Sequence, residues 1–100
     1  MTLTHQPQAH ILVVDDDARL RDLLKKYLGD QGFFISTAAN TGEAEEVLRA
    51  FVVDGMVLDV MMPGETGMAY AARLKARADA PPVLLLTARG EADDRIAGLE

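Results

Sequence analysis

The chain has 100 residues, 49% hydrophobic and 26% charged, a composition that fits one folded, water-soluble domain with a single modest core and leaves no room for a second. Its 10 Lys plus Arg against 16 Asp plus Glu give a net charge of -6, which disfavours direct binding to nucleic acid or an anionic bilayer. Without cysteine there is no disulfide framework and no thiolate metal site, and no apolar run approaches the ~18 residues of a membrane span, so the expectation is a cytoplasmic chain that nothing exports or anchors.

After a polar leader over 1–10, in which His5 and His10 read as solvated, Ile11-Leu12-Val13-Val14 is continuously apolar, the signature of a strand covered on both faces. It stops at Asp15-Asp16-Asp17. Leu20, Leu23, Leu24, Tyr27 and Leu28 then recur at the spacing of an amphipathic helix, with Asp17 as N-cap and Gly29 or Gly32 near its end. Phe33 to Thr37 reads as a second strand, and Asn40 with Glu43 opens a helix carrying Ala44, Val47, Leu48 and Phe51 on one side. Gly55 to Leu58 makes a third short strand ending at Asp59. A loop of Met61-Met62-Pro63-Gly64 follows, and the alanine-rich stretch from Thr66 to about Ala78 favours helix. Pro81-Pro82 breaks the chain before a fourth strand, Val83 to Leu86, ending at Thr87. Glu91 to Glu100 begins a further helix with Ile96 and Leu99 inward.

Strands alternating with helices require parallel pairing through crossovers, hence an open α/β sheet with helices on both faces. Ligands of such sheets bind beyond the carboxyl ends of the strands. Asp15, Asp16 and Asp59 leave the sheet there with the Thr87 hydroxyl, so three carboxylates converge on one crevice. Their repulsion, roughly 1 kcal/mol per pair in water and about 4 at an effective dielectric of 20, calls for a divalent cation. An oxygen-only donor set without His or Cys selects a hard ion, magnesium more than calcium. Other residues read more plainly: Asp17 as a helix cap, Met56, Met61 and Met62 as packing side chains, and Glu43, Glu45 and Glu46 as a solvated helix face. Pro63 and Gly67 read equally as turn residues or as site geometry.

Three ordered motifs carry a resemblance: Ile-Leu-Val-Val-Asp-Asp-Asp at 11–17, Leu-Asp-Val-Met-Met-Pro-Gly at 58–64 with Gly67, and Leu-Leu-Thr-Ala-Arg-Gly at 85–90. The chain resembles the receiver domain of a two-component response regulator, most similar to the OmpR/PhoB-type subfamily. The resemblance implies a flavodoxin-like (CheY-like) doubly wound parallel sheet in strand order 2-1-3-4. The receiver would occupy residues 11–100 and be cut within helix four, so that the family's fifth strand, its Lys and the last helix fall outside the sequence. Lys25, Lys26 and Lys75 all lie on expected helices and do not replace that Lys.

By the same resemblance Asp59 is the phosphoacceptor, with Asp16, Asp59 and the Met61 carbonyl on Mg²⁺, Asp15 reaching the metal largely through water, and Thr87 contacting the phosphoryl group. The implied donor is a phosphohistidine on a sensor histidine kinase or a small phosphodonor. The domain is not an enzyme in its own right but assists its own phosphotransfer and dephosphorylation. DNA would be reached only through a C-terminal domain outside this chain. An uncovered strand-four edge implies a homo-oligomer, formed by edge pairing or by exchange of elements; Arg95 and Ile96 match the family's dimer face. Two other readings compete. A magnesium phosphatase of the aspartyl-phosphate type expects a second acid where this chain has Met61, and an interaction module would act through its surfaces without phosphorylation.

Overall fold

The computed structural model describes residues 8–87. Four strands, β1 (His10–Val14), β2 (Phe34–Ala38), β3 (Gly55–Asp59) and β4 (Val83–Leu86), alternate with three helices, α1 (Ala18–Asp30), α2 (Thr41–Ala50) and α3 (Gly67–Lys75). All pairings are parallel, in the order β2-β1-β3-β4 that the motifs implied. The chain leaves β1 for β2 on one side and reaches β3 on the other, so strand order reverses between β1 and β3, the position at which open α/β sheets build their crevice. The expected fourth helix at Glu91 to Glu100, and the leader up to Pro7, lie outside the described residues.

β1 is central and covered on both faces, as its unbroken apolar run requires: Leu12, Val13 and Val14 are fully buried. Leu12 and Val14 join Met56, Leu58, Ala38, Ala44, Met62, Tyr70 and Leu74 in one core beneath α2 and α3. Alternation sends Val13 and Ile35 to the opposite face, where α1 packs on β1 and β2. Removing any one of these large side chains from water contributes about 1.5–3 kcal/mol.

Each helix begins at a side-chain cap. Asp17 accepts the N–H groups of Arg19 (3.0 Å) and Leu20 (3.3 Å). Asn40 accepts that of Glu43 (2.9 Å), whose carboxylate in turn accepts the Ala39 N–H (2.8 Å), and Thr66 accepts that of Ala69 (3.1 Å). These caps place the three helix starts at the carboxyl ends of β1, β2 and β3.

Five expectations change. His10 is no solvated leader residue; it opens β1 and is 5% exposed. β2 runs one residue later than the Phe33–Thr37 expected, and Phe51, expected on the inner side of α2, caps that helix and is exposed. Met61 is exposed rather than packed, whereas Met56 and Met62 are buried as expected. Glu45 is not part of a solvated face, because it accepts hydrogen bonds from the buried Tyr70 hydroxyl and from Arg77 (2.9 Å).

Candidate metal and phosphoryl site

The registers explain why three carboxylates meet. β1 and β3 are neighbours with Val14 opposite Leu58, so the next residues, Asp15 and Asp59, leave adjacent strands at the same level. Asp16 follows Asp15 over the rim. One carboxylate oxygen from each of Asp15, Asp16 and Asp59 can be chosen so that all lie within 4.8 Å of one another. Thr87 follows Leu86, the register partner of Asp59, and so stands at the same end of the sheet. Met61 lies two residues beyond Asp59 and donates its N–H to Asp59 Oδ1 (3.1 Å).

Two of the three acids are buried: Asp15 is 3% exposed and Asp59 7%. At their separation two charges repel by roughly 3 kcal/mol at an effective dielectric of 20. The ion pairs among the described residues, Arg73–Glu65 and Arg77–Glu45, lie elsewhere and relieve none of it. Burial pushes the Asp59 carboxyl up to about 6; the charges of Asp15 and Asp16 push the same way, and the Met61 N–H opposes them. Asp15 is raised too, by burial first and then by Asp16 and Asp17, against the Asp17 N–H that its Oδ1 accepts at 2.9 Å. A buried, mutually repelling set of hard oxygen donors is the chemistry that a small divalent cation relieves.

The loop after β3 is built around this site. Gly64 sits at φ +79°, a left-handed conformation that side chains disfavour. Gly67 starts α3 so tightly against β3 that a Cβ there would lie 2.0 Å from the Asp59 carbonyl oxygen, and its N–H donates to the Val60 carbonyl (2.9 Å). The sequence left Gly67 open between turn and site geometry; the packing sets it directly against the Asp59 backbone. A groove of about 600 Å³ between α2 and α3, lined in part by Leu48, Phe51, Leu74 and Pro81, lies at the other end of the strands and contains none of the three acids. At the carboxyl end Asp15 and Asp59 are buried and Asp16 is exposed.

Residues 11–100 match the sequence profile of the response regulator receiver domain. The chain belongs to that family. The receiver is 46% identical over 91 residues to the protein PetR of Rhodobacter capsulatus and 40% identical over 90 residues to the response regulator MprA of Mycobacterium ulcerans. It covers 38% and 39% of their lengths, so it spans about two fifths of the curated relatives it matches. Among solved structures it is similar to the response regulator TrrA of Thermotoga maritima in complex with Mg²⁺-BeF, with a TM-score of 0.76 and 36% identity over 83% of this chain and 72% of that one. Among the described residues no helix is long and apolar enough to cross a membrane.

Proposed function

We propose that this receiver accepts a phosphoryl group on Asp59 from a sensor histidine kinase, with Mg²⁺ held by Asp15, Asp16, Asp59 and the Met61 carbonyl. The observation that carries the reading is the approach of three carboxylates to within 4.8 Å of one another at the reversal of strand order. With Oδ1 of Asp59 held by the Met61 N–H, Oδ2 is the oxygen left to attack phosphorus. The new O–P bond forms as the N–P bond of a phosphohistidine breaks, and the electron pair returns to the imidazole nitrogen. A bound Mg²⁺ would neutralise the acidic cluster and screen the phosphoryl oxygens. The Thr87 hydroxyl, at the same end of the sheet, would hydrogen-bond the arriving group. The exposed Asp16 and Met61 beside the site suit a donor presented by another protein.

In the longer relatives this step would serve transcription, as the name of the similar transcriptional regulatory protein TcrA of Mycobacterium tuberculosis suggests for that protein. The partner surface for a second copy would be β4, the outer strand among the described residues, whose four side chains are all half-buried; a monomer mass at every concentration in light scattering would remove that part.

The test is incubation with Mg²⁺ and acetyl phosphate followed by intact and peptide mass measurement. One added phosphoryl group mapped to Asp59 is expected. No gain, or a gain elsewhere that persists in Asp59→Asn, rejects the reading.

A further inference from the structure

We propose that Arg21 is a positioning residue for the acidic rim: its guanidinium locks the Asp15–Asp16 peptide so that both side chains stay aimed at the cation position. The inference rests on the reading of the carboxylate cluster as a Mg²⁺ site. Arg21 stands in the first turn of α1, half-buried, and reaches back so that Nη1 donates to the Asp15 carbonyl at 2.7 Å. The Asp15 N–H already donates to the Ala38 carbonyl (3.0 Å), and its Oδ1 accepts the Asp17 N–H (2.9 Å). Asp15 is therefore held by its N–H, its carbonyl and one carboxylate oxygen, although it lies just past the end of β1. Of these contacts, the one to the carbonyl fixes the peptide plane that leads into Asp16, the exposed member of the cluster.

The charge of Arg21 makes the proposal decidable. By Coulomb repulsion alone a guanidinium one peptide behind a cation site weakens cation binding, so deleting it should tighten Mg²⁺. If Arg21 instead orders the rim, its deletion should loosen Mg²⁺ despite the lost repulsion, as happens when a ligand residue loses its supporting hydrogen bond.

The experiment compares the wild-type chain with Arg21→Met and Arg21→Lys, by calorimetric Mg²⁺ titration at fixed ionic strength and by amide hydrogen exchange of the metal-free proteins. For Arg21→Met we expect Mg²⁺ affinity to fall about tenfold, and the Asp17 amide to exchange faster while the Leu12–Val14 amides keep their protection. Arg21→Lys, which retains a charged donor, should recover most of both. Equal or tighter Mg²⁺ binding by Arg21→Met overturns the proposal, as does an unchanged Asp17 amide. Loss of protection throughout β1 also overturns it, because Arg21 would then be holding the fold and not the rim. A wild-type chain that takes up no Mg²⁺ rejects the metal-site reading itself and overturns the proposal with it, whereas a wild type that binds Mg²⁺ beside an Arg21→Met that binds it equally or more tightly overturns the proposal alone.

Discussion

The two ends of the sheet both bury polar side chains, and they do so in opposite ways. At the amino end His10 is satisfied completely. Its Nδ1–H donates to the Val52 carbonyl (3.0 Å), its Nε2 accepts from the Ser36 hydroxyl (2.7 Å), and its backbone exchanges two hydrogen bonds of 2.7 Å with Asp54. The ring rests against Phe34 and Phe51, with centroids 4.7 and 5.8 Å away. At the carboxyl end Asp15 and Asp59 are as deeply buried, yet they face each other as like charges. A buried polar group that completes its bonds inside the protein holds structure together; one left in conflict is waiting for a ligand.

The largest effect that could break this contrast is at Asp59. Asp59→Asn should abolish phosphoryl acceptance outright, read by mass, and at the same time stabilise the metal-free fold at neutral pH by about 1–3 kcal/mol, read by chemical denaturation. Because the folded-state value is raised from 3.8 to about 6, folded Asp59 keeps its proton after the unfolded chain has lost it. Its contribution to stability therefore falls as pH rises from about 4 to about 6 and stays low above that. The difference between wild type and Asp59→Asn should open across that window and close on addition of Mg²⁺; a flat difference would contradict the buried-repulsion account.

Next is Gly67. Its missing Cβ leaves space for the Asp59 carbonyl, a backbone atom that cannot swing aside, so Gly67→Ala should cost about 2–3 kcal/mol and slow phosphorylation together. A variant as stable as wild type would show that α3 can shift freely. At the other end, His10→Phe should leave the Ser36 hydroxyl and the Val52 carbonyl without their partner and cost about 1–3 kcal/mol in denaturation, while phosphoryl acceptance by the folded fraction is unchanged. A loss of acceptance with intact fold would mean that the two ends communicate. The smallest effect belongs to Arg73–Glu65, whose arginine side chain is 49% exposed: Arg73→Gln should leave the denaturation midpoint nearly unchanged.

The parts of this molecule that were legible in the sequence are those whose cause is local. The apolar run at 11–14, the caps at Asp17 and Asn40, and β4 at Val83–Leu86 follow from neighbouring residues, and parallel pairing follows from their alternation, whereas the order β2-β1-β3-β4 came only with the family resemblance. The clustering of Asp15, Asp16 and Asp59 was legible because they stand at or just past the end of a strand. What escaped depends on contacts distant in the chain. Nothing near His10 announces Ser36, Val52 or Asp54. Glu45 sits among acids that face water, and only folding brings Tyr70 and Arg77 to it; burial opposes its charge, but their hydrogen bonds outweigh that and hold its carboxyl below the usual range. Arg21 reads as one more charge on an amphipathic helix until its side chain is seen to turn back to the Asp15 carbonyl.

The central claim is that Asp15, Asp16 and Asp59 form one cation-binding cup, and an NMR-followed Mg²⁺ titration of the wild-type chain tests it most directly. The account predicts that the amides of residues 15–17 and 59–61 respond together and saturate with a single dissociation constant. Shifts that never saturate, or two segments responding at unrelated Mg²⁺ concentrations, would contradict it.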